Sequence, residues 1–161
     1  MRNDMIDYEL INKQLSALIA GEENLTGILA NAAALLREST GWFWVGFYMV
    51  DGEVLRLAPF QGPVACYRIA YGRGVCGTAW QRAETLLVPD VEELPGHIAC
   101  SSLSRSEIVV PIFCGGDEDG GEIVGVLDID STEVGTFTES DRTGLEAFCR
   151  ILASAIAPLL K

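Results

Sequence analysis

Positive charge is what this sequence is short of. Its 161 residues carry 11 Lys and Arg against 23 Asp and Glu, a formal net charge of −12 and a pI near 4.3. With no basic stripe to neutralise phosphates, nucleic acid is excluded as a partner. The same acidity counts against anionic membrane surfaces. Long apolar runs are missing too: the longest are about eight residues, against the roughly 18 or more that a membrane span needs. Met1-Arg2-Asn3-Asp4 leads into a charged amphipathic stretch and not into the apolar core of a signal peptide, so the expectation is a soluble, cytoplasmic protein. Repeats, low-complexity tracts and linkers are also absent. What is there is globular in composition, 49% hydrophobic and 21% charged. One domain over residues 1–161 can bury a core of its own without staples.

Five cysteines stand out: Cys66, Cys76, Cys100, Cys114 and Cys149. An odd count with no signal peptide is not a secreted disulfide framework. Successive spacings of 10, 24, 14 and 35 contain no C-x-x-C pair, which disfavours zinc. Each cysteine is then a buried filler or a working thiol. Cys149 lies near the apolar face of the last predicted helix and Cys114 ends a strand, so both read as fillers. Cys66, Cys76 and Cys100 lie at strand edges or in glycine-flanked loops, where thiols can be reached and can move. His97, three residues before Cys100, makes a hydrolase dyad conceivable but weak, since nucleophile and base usually come from distant segments.

Apolar periodicity predicts helices over residues 8–20 and from Leu25 to a stop at Gly41, and a last helix capped by Thr138 with Leu145, Phe148, Leu152 and Ile156 on one face. Strands are expected from Trp42 to Val50, Val54 to Ala58, Cys66 to Tyr71, Leu86 to Val88, Ile108 to Phe113 and Ile123 to Asp130. Asp51-Gly52 is a hairpin signal. A short helix is expected from Val75 to about Arg82, and a long loop from Pro89 to Ser106; loops of that length in a compact domain are usually functional. The fold class is α+β: an antiparallel sheet with helices from both chain ends packed on it.

Gly72-Arg73-Gly74-Val75-Cys76-Gly77 matches the dinucleotide fingerprint, but its neighbours are hairpins and not a parallel βαβ unit, so a tight turn before a short helix is the better reading. Asp128 and Asp130 are the sharpest anomaly. By period two they share a face with Val124 and Val126, so a core strand ends in two adjacent carboxylates. Either they meet solvent or cap the turn with Ser131, or they form a cluster with Glu107, which opens the neighbouring strand. Such a cluster suits a cationic group, a metal, or proton donation by one acid whose pKa the others raise. Trp44 and Tyr48 share a strand face with Gly46 between them, a spacing that leaves room for a slot.

Read together, Phe60-Gln61-Gly62-Pro63-Val64-Ala65-Cys66, Gly72-Arg73-Gly74-Val75-Cys76-Gly77-Thr78-Ala79, Gly96-His97-Ile98-Ala99-Cys100, Ser106-Glu107-Ile108-Val109-Val110-Pro111 and Gly125-Val126-Leu127-Asp128-Ile129-Asp130-Ser131 resemble, in order and spacing, the free methionine-(R)-sulfoxide reductases. That family consists of stand-alone GAF domains. The resemblance runs from about Leu10 to Ile156, and three cysteines plus the acidic strand end in register make it highly specific. It implies Cys100 as catalytic nucleophile, Cys66 as main resolving thiol and Cys76 as an auxiliary one. It implies Glu107, Asp128 and Asp130 as the carboxylates of the substrate site, and Trp44 and Tyr48 as its aromatic wall. It further implies thioredoxin as reductant, no metal or other cofactor, and a homodimer. The chain departs from the family at Ser101, where Asp usually follows the nucleophile, and the turn Gly115 to Gly121 reads as a surface insertion.

The expected activity is therefore reduction of free L-methionine-(R)-sulfoxide, with Glu107 or Asp130 as proton donor and Asp128 holding the amino group. The rival class is a non-catalytic GAF sensor that binds a small ligand; the absence of any attached output domain counts against it.

Overall fold

The computed structural model describes residues 5–94, 103–115 and 121–160. Helix α1 (Tyr8–Ile19) starts where the Asp7 side chain accepts from the Leu10 N–H at 3.0 Å. Helix α2 (Leu25–Thr40) starts at Asn24 in the same way and stops at Gly41, whose left-handed φ of 76° lets its N–H close on the Arg37 carbonyl. Strands β1 (Trp44–Asp51) and β2 (Val54–Gln61) form the expected hairpin around Asp51-Gly52. Then come β3 (Arg68–Ala70), α3 (Gly74–Arg82), β4 (Leu86–Val88), the hairpin β5 (Ser106–Cys114) and β6 (Glu122–Ser131), and α4 (Glu139–Ile156). Thr138 opens α4 with a capping box in which its N–H donates to Asp141 Oδ2. Asp141 Oδ1 also accepts the Tyr8 hydroxyl at 2.6 Å, tying α1 to α4, and Gly144 is bare so that the Tyr8 ring can lie against it.

The sheet order is β3-β2-β1-β6-β5-β4, and every neighbouring pair is antiparallel. This is the α+β architecture expected, and it disposes of the dinucleotide reading. Gly72 and Gly74 both adopt positive φ to turn the chain, and a Cβ on Gly77 would strike the Ala70 carbonyl. The glycines serve a tight β3–α3 turn.

Alternation splits the sheet into two faces. Val45, Phe47, Ile108, Val110, Leu127 and Ile129 lie in the larger core with residues of α1, α2 and α4. Trp44, Tyr48, Leu55, Val109 and Val126 face the other way and meet Val75, Cys76 and Ala79 of α3. A slip of β6 by one residue would turn Asp128 and Asp130 into the larger, apolar core and take Leu127 and Ile129 out of it. The register therefore fixes both carboxyls on the α3 side.

Several boundaries differ from expectation. Of Cys66 to Tyr71 only Arg68–Ala70 is strand, because Gly72 turns the chain at one end and the Cys66 carbonyl is drawn to the Tyr48 hydroxyl at the other. β2 runs on to Gln61 past Pro59, since a register shift opposite Gly46 and Tyr48 leaves an extra residue there for the missing N–H. β1 begins at Trp44, and Trp42 instead packs edge-on against Phe137. The long loop includes a one-turn 3-10 helix, Val91–Glu93, with Val91 buried. Residues 116–120 of the acidic turn lie outside the described residues.

Candidate active site

The site forms where β1, β6 and β5 present one face at the same end. Asp130 stands opposite Trp44 on one side and Glu107 on the other, and Asp128 stands between Gly46 and Val109. The predicted trio therefore converges: Glu107 is 7% exposed, Asp128 6%, and Asp130 is half-buried. Glu107 is hydrogen-bonded to both aspartates, and Ser104 hydrogen-bonds to Asp130. The carboxyls neither spread into solvent nor cap the turn with Ser131, whose hydroxyl pairs instead with Thr136 and accepts the Glu133 N–H.

Three acids in contact, two of them buried, cannot all ionise. Burial first, then the charges of Asp128 and Asp130, push Glu107 well above the usual carboxyl range. Burial and Asp128 also raise Asp130 well above its usual range, and hydrogen bonds from Glu107 and Ser104 offset only part of that rise. The Glu107 hydrogen bond favours the proton on Glu107 and its acceptance by Asp130. Acids held in this way can donate a proton or receive a cationic group.

The aromatic wall is more continuous than expected. Trp44 stacks on Phe60 at 5.1 Å and on Tyr48 at 6.1 Å between ring centroids. Gly46 leaves no empty slot: a Cβ there would lie 2.6 Å from the Trp44 indole and would also strike Phe60, so the indole itself uses the space. The wall also holds a loop. Trp44 Nε1 donates to the Pro63 carbonyl at 2.9 Å, and the Tyr48 hydroxyl donates to the Cys66 carbonyl at 3.0 Å. Burial, followed by the charge of Asp128, raises the Tyr48 pKa, so the phenol stays a donor. Phe60, Pro63 and Ser104 were missed as site residues. No residue type marked them; Phe60 has only its register position opposite Gly46.

The cysteines separate. Cys66 is half-buried and disulfide-bonded, while Cys76, Cys114 and Cys149 are free thiols. Cys149 is buried as expected, and Cys114, at the end of β5, points its thiol at the Ala153 carbonyl. Cys76 corrects the expectation of a thiol that can be reached and can move. It is 3% exposed against β6, and burial, then Asp128, Glu107 and Asp130, push its pKa up. The desolvation and the facing acids outweigh the helix terminus. Cys100, His97 and Ser101 lie outside the described residues.

Cys76 Sγ and one carboxylate oxygen each of Glu107 and Asp128 lie within 4.8 Å of one another, and these are the atoms that could hold a cation. In the structure, Cys76 and Glu107 both donate hydrogen bonds to Asp128, which already joins the three.

The chain matches the GAF domain family over residues 24–156. It is 45% identical, over 151 residues, to a free methionine-R-sulfoxide reductase of Escherichia coli, an alignment covering 93% of this chain and 88% of that protein. It is 54% identical over 146 residues to GAF domain-containing protein A of Dictyostelium discoideum, covering 90% and 89%. A Neisseria meningitidis free methionine-R-sulfoxide reductase, solved in complex with its substrate, superposes with a TM-score of 0.90 at 46% identity, covering 99% of this chain and 96% of that one.

Proposed function

Since the chain belongs to the GAF-domain family of free methionine-R-sulfoxide reductases, we propose that it reduces free L-methionine-(R)-sulfoxide to methionine by cysteine chemistry recycled by thioredoxin. The observation that carries the reading is the cluster of Glu107, Asp128 and Asp130 beside the aromatic row, with disulfide-bonded Cys66 strapped to that row.

The chemistry follows from what each group can do. The Cys100 thiolate attacks the sulfoxide sulfur. Sulfoxide oxygen leaves only when protonated, and Glu107, which holds its proton against burial and like charge, supplies it. The protonated oxygen passes to the Cys100 sulfur as the bond between the two sulfurs breaks, leaving a Cys100 sulfenic acid and methionine as the thioether. Asp128 pairs with the substrate ammonium, which a peptide-bound methionine lacks. Trp44 and Tyr48 flank the developing positive charge on sulfur with their ring faces.

Cys66 then attacks the sulfenic acid, expelling water and forming a disulfide. The disulfide bond at Cys66 supports its role as the resolving thiol. The burial and raised pKa of Cys76 support an auxiliary part for that thiol at most. Thioredoxin reopens the disulfide by exchange. The reading includes a homodimer and a cytoplasmic setting; among the described residues no helix is long and apolar enough to cross a membrane.

The test couples thioredoxin and thioredoxin reductase to NADPH consumption. Free L-methionine-(R)-sulfoxide should turn over, while the S epimer and N-acetylmethionine sulfoxide give little. Equal rates on the N-acetylated compound would remove Asp128 from its role.

A further inference from the structure

Oxidised Cys66 must be reached from outside in every cycle, and its surroundings are unlike the rest of the surface. Val64 is 87% exposed and Tyr67 78%, so two large apolar side chains bracket the disulfide-bonded residue. Charge is also distributed unevenly. The thirty residues from Val54 to Ala83 contain four of the chain's 11 cations and none of its 23 acids. Arg56 is tied to Asp51, and Arg68, two residues after Cys66, is exposed. Among the described residues β3 is the outer strand of the sheet and pairs with β2 alone, so its far edge can accept an extended segment from another protein. The loop is already held in place by the Trp44 and Tyr48 hydrogen bonds, which lowers the ordering needed on docking.

We propose that Val64, Tyr67 and Arg68 form the docking face for the reductant, a protein dithiol whose reactive cysteine is ringed by apolar residues and edged by acidic ones. The proposal rests on the disulfide cycle proposed above. The reductant's thiolate attacks Cys66 Sγ, and the existing S–S bond breaks. The former partner sulfur leaves as a thiolate and takes a proton. The reductant's second thiol then attacks the mixed disulfide and releases Cys66 as a thiolate. Two electrons have passed from the dithiol, which ends as a disulfide. A stretch of chain with four arginines and no acid suits such a partner on a protein whose net charge of −12 would otherwise repel an acidic face.

The full-length protein, with Tyr67→Ser and Arg68→Glu singly and combined, is assayed on L-methionine-(R)-sulfoxide with thioredoxin and, separately, with dithiothreitol. Arg68 stands opposite Arg56 across the strands, so the charge reversal should not harm the fold. The double variant should raise the KM for thioredoxin about tenfold while leaving the dithiothreitol rate within about twofold. Arg68→Lys should keep most of the thioredoxin efficiency. An unchanged KM for thioredoxin in the double variant, with wild type cycling normally, overturns the docking face and leaves the catalytic reading standing. Equal losses with both reductants also overturn it, because the residues then serve the fold or the chemistry. A wild type that turns over with dithiothreitol but not with thioredoxin or another protein dithiol removes the underlying recycling step as well.

Discussion

Glu107→Gln isolates the proton from the geometry. The amide has the shape of the protonated acid and can still donate to Asp128 and Asp130, so the cluster should stay assembled, but it has no proton to give. General acids contribute about 10²–10⁴-fold, or about 2.7–5.5 kcal/mol of barrier. Asp130 faces Glu107 across the β5–β6 ladder and its own pKa is raised, so it can act as a poorer substitute donor. That places the expected fall in kcat/KM nearer about 10² than 10⁴. The alkaline decline of wild-type kcat/KM, where Glu107 loses its proton, should vanish in the variant.

Stability moves the opposite way. In the folded protein Glu107 binds its proton more tightly than in the unfolded chain. Between the ordinary carboxyl value and the raised folded one, the native state therefore carries more protons, and wild-type stability falls as pH rises through that window. Glutamine has no charge to bury. Glu107→Gln should match wild type at low pH and gain in Tm relative to it as pH rises towards 8. Kinetics from pH 5 to 9 and thermal melts over the same range check both halves. A variant with near-normal kcat/KM, or a Tm advantage that shrinks with rising pH, would refute the assignment of the proton to Glu107.

The other predictions concern the cysteines and the wall. Cys100→Ser should abolish methionine release, since a hydroxyl at neutral pH is a far poorer nucleophile than a thiolate, whereas Cys114→Ser should turn over normally. Cys66→Ser should lose most thioredoxin-driven cycling yet recover with a small thiol, while Cys76→Ser keeps most of it; the reverse pattern would exchange the two roles. Gly46→Val should drive a branched side chain into the Trp44 indole and Phe60, costing about 1–3 kcal/mol in urea unfolding and raising KM as the wall shifts.

The sequence carried the parts of this account that rest on period and chemistry. Alternation put Asp128 and Asp130 on one face, and the flanking Leu127 and Ile129 made that register hard to slip. Gly41, Asp51-Gly52 and Thr138 marked turns and caps because each meets a local backbone demand. Long-range packing was not legible. Nothing local to Cys76 shows that α3 lays its thiol against three carboxyls, and its burial reversed the expectation of a reachable thiol. Nor does the Trp44-x-Gly46 spacing show that the indole folds over its own glycine, or that its N–H reaches Pro63. These depend on partners brought together by the sheet.

The most direct test of the central claim uses no reductant. Fully reduced protein is mixed with excess L-methionine-(R)-sulfoxide, the released methionine is counted, and the product is digested under non-reducing conditions for mass spectrometry. About one methionine per chain should appear before the reaction stops, as expected of a nucleophile consumed once per cycle, and a peptide containing Cys66 should be joined to one containing Cys100. Continued release without reductant, or a stalled protein that retains all five free thiols, would contradict the account.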